Sequence, residues 1–213
     1  MTSFRHIIGA LFLSMLSLPL SAQSIDTIFL SMPDTLCPYL DKSQRAELLD
    51  FARRHLKAEV KNNLKGTSTL DTIYGQRLSA TLSKSRHIEL AKLPTAQGDS
   101  MICLINTIGM KREESTVKLY TLQWKHMRTI DLNSLMPALP FPSDVSADSL
   151  SNAAAKHDLQ TISAELSSDG KAIILKRHTP LLPSKTNGES IRVELTPLLH
   201  ASACRSTKKY QVG

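Results

Sequence analysis

Ser168 and Lys171 have the Ser-x-x-Lys spacing of penicillin-binding enzymes, in which the lysine lies one helical turn from a serine nucleophile and accepts its proton. In this chain Asp169 and Gly170 fill the gap, and an Asp-Gly pair is typical of a β-turn, not of a helix. A turn does not place the lysine where that proton transfer requires it. We therefore interpret these four residues as a turn.

Cysteine chemistry is also disfavoured by context. Cys103 lies inside the continuous apolar run 101–105, where a thiol behaves as a small apolar side chain, so packing in the core is the favoured interpretation. The chain has three cysteines and no Cys-x-x-Cys pair: Cys37, Cys103 and Cys204. An odd number of widely spaced cysteines excludes a disulfide scaffold.

Metal and nucleotide chemistry have no local signature. HExxH, GxSxG, GxxxxGK[ST] and GxGxxG are all absent from the sequence. The histidines that follow residue 22 are scattered singly along the chain: His55, His87, His126, His157, His178 and His200. We predict no metal ligands and no cofactor.

Basic residues recur every four positions in a segment that we predict to be helical. This basic stripe consists of Arg53, Lys57, Lys61 and Lys65 at that spacing, with Arg54 beside them. On one helix face it could bind phosphates or anionic sugars. The alternative, which we favour, is a solvated face that Asp50 partly neutralises one turn before Arg54 and that lacks interleaved aromatic residues.

Two aromatic residues are candidates for stacking on a sugar, Tyr120 and Trp124. Aromatic residues make up only 5% of the chain, so it is poor in the side chains that carbohydrate and protein recognition favour. Packing in the core is the favoured role of both. A hydrolase site built from distant residues is a separate alternative, for which Asp34, His87, His126 and Asp131 are available polar candidates.

The first 22 residues have the layout of a secretory signal. Arg5 gives a basic start, residues 7–20 are mostly apolar, and the small residue Ala22 precedes an expected cleavage site before Gln23. The apolar run is shorter than the roughly 20 residues that a spanning helix needs, and no later stretch is apolar enough to cross a membrane. We therefore expect an exported protein, either periplasmic or secreted.

The elements that must position these residues indicate an α+β fold. Asp41 and Gln44 have the spacing of a capping box, and the apolar period predicts a helix over 42–64 with Leu48, Leu49, Ala52, Leu56, Val60 and Leu64 on one side. The period then changes to two, which predicts an antiparallel meander packed on the helix. Its strands are expected around 78–82, 88–90, 101–105 and 117–124, the third central and the fourth covered on both faces.

A proline-rich linker over 137–143 separates the first block, 23–136, from a shorter one over 144–201, and 202–213 forms a flexible tail. In the second block we expect a helix at 148–157 and strands around residues 162–166, 172–175 and 191–195. The layout suggests a shorter version of the first block. A duplication is a hypothesis.

Several segments also carry a family resemblance. They are Met32-Pro33-Asp34 to Pro38-Tyr39-Leu40-Asp41, Arg45 with Leu48-Leu49-Asp50-Phe51, Thr81-Leu82-Ser83-Lys84-Ser85, residues 99–107, and Tyr120-Thr121 ahead of Trp124. Over residues 25–128 the chain resembles the exported Bacteroidales proteins of domain of unknown function 3256. The resemblance implies a cell-envelope or secreted protein and supplies no catalytic residues.

The net charge of +7 is compatible with an anionic partner such as lipopolysaccharide, an acidic glycan or nucleic acid, and export argues against nucleic acid. Two hypotheses follow. The first is a non-enzymatic envelope or secreted module that binds an envelope protein, peptide or glycan through a sheet face or edge. The second is a hydrolase that acts on an envelope polymer.

Overall fold

The computed structural model describes residues 23–95, 98–110, 112–137, 161–178 and 190–195. The predicted signal, the linker after Pro137, the helix expected at 148–157, Cys204 and the expected tail lie outside these ranges. No helix in the described ranges is both long enough and apolar enough to span a membrane.

Three helices and ten strands lie within the described ranges. The helices are α1 (Ile25–Ser31), α2 (Lys42–Arg53) and α3 (Leu132–Leu135). The strands are β1 (Glu59–Lys61), β2 (Thr67–Tyr74), β3 (Arg77–Ser83), β4 (Arg86–Pro94), β5 (Ser100–Ile108), β6 (Glu114–Thr121), β7 (His126–Ile130), β8 (Thr161–Leu166), β9 (Ala172–His178) and β10 (Ser190–Glu194). The predicted α+β class is confirmed.

Helix α2 begins with the predicted capping box. The Gln44 backbone N–H donates to Asp41 Oδ1 at 2.9 Å, and the Asp41 N–H donates to Gln44 Oε1 at 2.9 Å. Two of the N–H groups at the start of the helix thus have partners from side chains, which fixes the first turn.

The predicted end of this helix is wrong, because α2 stops at Arg53 and not at residue 64. The Leu56 N–H donates to Phe51 O at 2.9 Å and the His55 N–H donates to Ala52 O at 3.0 Å, which is the bonding pattern of a Schellman cap. His55 takes the left-handed conformation that this cap requires, with φ 57°. The chain then reverses into the short strand β1, so Leu56, Val60 and Leu64 do not share a helix face.

The first seven strands form one antiparallel sheet in sequence order, β1 to β7. The predicted meander is confirmed, and the apolar run 101–105 lies in β5, which pairs with β4 and β6. Helices α1 and α2 pack on one face of this sheet, against alternate residues such as Leu78, Leu90 and Ile102. The regular in–out alternation of β3 therefore reflects one face covered by helices, whereas in β4 the neighbours Leu90 and Ala91 are both buried.

A second sheet, ordered β10-β9-β8, covers the other face of the large sheet at β4, β5 and β6. Cys103 and Val117 of the large sheet share a core with Ile173 and Leu175 of β9. The second block thus packs directly on the first. Strand β6 is buried on both faces as predicted, with Leu119 toward the second sheet and Tyr120 toward the helices.

The connection between α1 and α2 is organised by Arg45, whose side chain is 1% exposed. Its guanidinium donates to Met32 O at 2.6 Å, to Leu40 O at 2.6 Å and to Asp34 Oδ1 at 2.9 Å. One side chain therefore joins the end of α1 to the loop that leads into α2.

Candidate functional site

Strand β1 is the first strand of the large sheet and pairs with β2. The bonds from Leu70 N to Ala58 O and from Asn62 N to Gly66 O place the even-numbered residues on the β2 side. The backbone groups of Glu59 and Lys61 therefore point away from the sheet. Two of these groups are already bonded, because Lys61 O accepts from Gln44 Nε2 at 2.9 Å and Glu59 N–H donates to Lys57 O at 3.0 Å.

Exposed apolar and basic side chains bracket this strand. We call them the β1 edge surface: Arg54, Leu56, Lys57, Lys61, Leu64 and Lys65. Leu56 is 57% exposed and Leu64 is 59% exposed, one before and one after the strand. The apolar period predicts both leucines on the buried side of a helix, and this prediction is wrong because both are exposed.

The predicted basic stripe is not a helix face, since among its members Arg53 alone belongs to α2. Three members have carboxylate partners: Arg53 pairs with Asp26 at 2.8 Å, Arg54 with Asp50 at 3.1 Å, and Lys57 with Glu59 at 2.5 Å. These pairs are solvent-exposed and reduce the net positive charge of this region.

The other two basic side chains contribute their full charge. Lys61 Nζ donates to the Thr67 hydroxyl at 3.4 Å, and neither Lys61 nor Lys65 pairs with a carboxylate among the described residues. Lys65 lies in the turn between β1 and β2 with φ 62°. The uncompensated charge of the β1 edge surface is thus centred on these two lysines.

The turn that carries Leu64 and Lys65 is held by the buried side chain of Asn62. Its Nδ2 donates to Leu82 O and to the Ser68 hydroxyl, both at 3.0 Å. Its Oδ1 accepts from Leu64 N at 3.1 Å and from Gly66 N at 2.9 Å. The exposed leucine and lysine therefore project from a turn with a defined backbone.

Tyr120 and Trp124 do not form an exposed stacking surface. They are 4% and 9% exposed and belong to the core beneath the helices, with ring centroids 5.5 Å apart. Trp124 Nε1 donates to the Ser31 hydroxyl at 3.2 Å, which ties the β6–β7 turn to the end of α1. The favoured core role of both residues is confirmed.

The four polar candidates for a hydrolase lie in different places. Asp34 bonds to Arg45 in the helical layer, whereas His87 lies on the opposite face of the large sheet, since its neighbour Ile88 packs under the helices. His126 is the first residue of β7, and Asp131 follows its last residue. The structure does not bring these four side chains together.

Asp131 lines an open groove of about 300 Å³ between β6, β7, α3 and β8. Its carboxylate accepts from Asn133 N at 3.1 Å and caps the short helix α3. A cap is a sufficient structural role for this residue.

The nucleophile candidates occupy structural positions. Burial raises the pKa of the Cys103 thiol to about 12, so it stays protonated and packs in the core as predicted. Ser168 and Lys171 lie in the turn between β8 and β9, where the Gly170 N–H donates to Ser167 O at 2.8 Å. The predicted turn is confirmed. In the described part of the chain, no three His, Cys, Asp or Glu side chains form a metal-binding group.

Glu89, which the sequence patterns do not single out, lies where the second sheet meets the first. Its Oε2 accepts from the Leu166 N–H at 2.9 Å, and Arg77 nearby donates to Ser167 O. Burial raises the pKa of Glu89, while the Leu166 N–H, His87 and Arg77 favour its charged form and Glu165 opposes it. Strand position alone gave no signal for this residue, because its partner is 77 residues away.

A pH-dependent stability follows from Glu89. A carboxyl group with a raised folded pKa stabilises the fold below its ordinary value of 4.5, and this contribution is lost as the pH rises through the folded pKa. Glu89→Gln keeps an oxygen for the Leu166 N–H and removes the partly buried charge. We expect urea unfolding to show a stability advantage of this variant over wild type that is larger at pH 7 than at pH 4.

Glu89→Ala is the matched control. It leaves the Leu166 N–H without its acceptor and lowers the free energy of unfolding by about 1–3 kcal/mol at pH 7. The same difference between Glu89→Gln and wild type at both pH values would contradict the assigned burial of the Glu89 charge.

This is an α+β protein in which helices and a small sheet cover opposite faces of an antiparallel meander, and the β1 edge surface lies at one edge of that meander. The chain belongs to the family described as "Protein of unknown function (DUF3256)", which matches residues 17–200, so the family resemblance is confirmed. It is similar to the solved structure of a domain of an uncharacterized protein from Porphyromonas gingivalis W83, with a TM-score of 0.61 and 16% identity over 80% of this chain and 92% of that one. No curated protein matches the chain.

Proposed function

We propose that this protein is an exported, non-enzymatic module that attaches to a component of the cell envelope through the β1 edge surface. The observation that carries the proposal is the exposure of Leu56 before β1 and of Leu64 after it, together with two lysines, Lys61 and Lys65, that pair with no carboxylate among the described residues. Apolar side chains that remain exposed next to charged ones are typical of interaction sites, because burial against a partner recovers their hydrophobic free energy.

The organisation of the surface supports this proposal. Asn62 fixes the turn that carries Leu64, and the Schellman cap fixes the backbone just before Leu56, so little conformational entropy is lost on binding. Export is supported by the basic start, the apolar run and the small residues at 21 and 22.

Co-sedimentation with the envelope fraction of the native organism tests the proposal. The mature chain from Gln23 is mixed with isolated envelopes, and the bound fraction is compared for wild type and Lys61→Glu/Lys65→Glu. We expect the charge reversal to lower the bound fraction at least tenfold, since each lysine becomes a like charge toward an anionic partner. We also expect the native protein in the exported fractions to begin at Gln23.

The matched control is Lys125→Glu/Lys171→Glu, which makes the same change of charge at two exposed turns away from β1. It is expected to bind as wild type does. Equal binding of the two double variants would overturn the role of the β1 edge surface, and recovery of the native protein in the cytoplasm with its first 22 residues intact would overturn export.

A further inference from the structure

We infer that the β1 edge surface docks on a bilayer that contains anionic lipids, an inference that rests on the proposed function and names the partner. The surface combines two features that a lipid interface selects together. It exposes two large aliphatic side chains on either side of a strand, and it holds two lysines without carboxylate partners between and beside them. Peripheral membrane binding takes its strength from buried apolar area together with attraction to anionic headgroups.

The apolar part of the surface is placed for shallow insertion. Leu56 follows the cap of α2 and Leu64 lies in the β1–β2 turn, so each projects from a chain reversal at the boundary of the fold. Both are more than half exposed. A flexible partner is not required to bury them, because the acyl boundary of a bilayer adapts to separate insertions.

The charged part of the surface suits a planar array of phosphates. Lys61 and Lys65 are exposed, and their long aliphatic stems let the ammonium groups extend toward headgroups. Arg54 follows α2 and Lys57 precedes β1, and their partners Asp50 and Glu59 hold them through exposed ion pairs of low stability. A headgroup phosphate can replace those carboxylates as partner.

The backbone of β1 favours a lipid surface over an added peptide strand. Strand addition uses a row of free N–H and C=O groups along an edge. Here Lys61 O is bonded to Gln44 Nε2, and Glu59 N–H is bonded to Lys57 O. The side chains of this edge are therefore available for binding while half of its outward backbone groups are not.

Vesicle sedimentation tests the inference. The mature chain is mixed with vesicles of phosphatidylcholine alone and of phosphatidylcholine with phosphatidylglycerol, at low and high salt. We expect binding to the anionic vesicles that high salt weakens. Lys61→Glu/Lys65→Glu is expected to weaken the partition by more than about 30-fold, because two attractive charges are lost and two repulsive ones are added, and Leu56→Ser/Leu64→Ser by about tenfold.

The controls lie at the opposite edge of the same sheet. Lys125→Glu changes an exposed charge just before β7 and Met127→Ser changes an exposed apolar side chain within it, and both variants are expected to bind as wild type does. All variants change exposed side chains, so thermal unfolding midpoints equal to that of wild type show that each is folded. Equal binding to neutral and anionic vesicles, or equal loss in test and control variants, overturns the inference, as does displacement by millimolar inorganic phosphate.

The two proposals fail separately. Lysine-dependent sedimentation with native envelopes but no binding to pure lipid vesicles would leave the proposed function standing and overturn the lipid partner. It would point to an envelope protein or glycan. Loss of lysine dependence in both assays would overturn both.

Discussion

Arg45→Met is expected to lower the free energy of unfolding by about 3–5 kcal/mol. The guanidinium donates hydrogen bonds to Met32 O and Leu40 O, each at 2.6 Å. The Arg45 side chain is 1% exposed, so these bonds are buried. Methionine has similar length and no donor, so both carbonyls would remain buried without that partner. Urea denaturation followed by circular dichroism measures the loss.

Asp34→Asn distinguishes the contribution of the ion pair from that of the carbonyl contacts, because it removes the charge of Asp34 and leaves the Arg45 bonds to Met32 O and Leu40 O. The Asp34 side chain is 63% exposed, so solvent screens its attraction to Arg45, and we expect this variant to unfold within about 1 kcal/mol of wild type. Arg45→Lys should fall between them, because a single ammonium group replaces a planar fork that reaches two carbonyls. If Arg45→Met were as stable as Asp34→Asn, the carbonyl contacts would have no net stabilising effect.

The local elements of this fold could be predicted from the sequence because their signals are local. The Asp41–Gln44 capping box and the alternating residues of β3 and β4 each depend on spacings of two to four positions. The Asp169-Gly170 turn is equally local, since Gly170 takes φ 69° within a hairpin. In each case the residues that determine the structure lie next to one another in the chain.

The end of α2 could not be predicted from apolar period alone. Leu56 continues the period of Leu48 and Leu49, yet the Schellman cap at His55 turns the chain away. Such caps usually place glycine in the left-handed position, and histidine gives no comparable warning. A helix that continues past His55 would place Leu56 and Leu64 in the core. Because the cap ends the helix, both leucines are exposed and belong to the β1 edge surface.

The packing of the second sheet could not be predicted from the sequence because it depends on contacts between residues far apart in the chain. Glu89 bonds to Leu166 N, and the Ser115 hydroxyl accepts from Ala164 N at 2.8 Å, across 77 and 49 residues of chain. Nothing in the periodicity of one strand specifies which distant strand covers it. Burial on both faces of β6 was predictable, but the identity of its second cover was not.

Asn62→Ala is expected to lower the free energy of unfolding by about 2–3 kcal/mol. The side chain is buried and makes four hydrogen bonds that join β1, β2, β3 and the turn between the first two strands. Alanine removes both the donors and the acceptor. Leu82 O retains its bond from the Ser68 hydroxyl at 2.8 Å, which limits the loss at that end of the network.

The neighbouring residue provides a matched control. Asn63 is exposed, and its backbone N–H donates to Tyr39 O whatever its side chain, so Asn63→Ala should unfold within about 0.5 kcal/mol of wild type. Amide exchange adds a local measurement, since the Leu64 and Gly66 N–H groups bond to Asn62 Oδ1 and are expected to exchange faster in Asn62→Ala alone. Because the same turn carries Leu64 and Lys65, faster exchange there should accompany weaker binding to anionic vesicles. Unchanged exchange at both amides would show that main-chain pairing, not Asn62, fixes the geometry of the β1 edge surface.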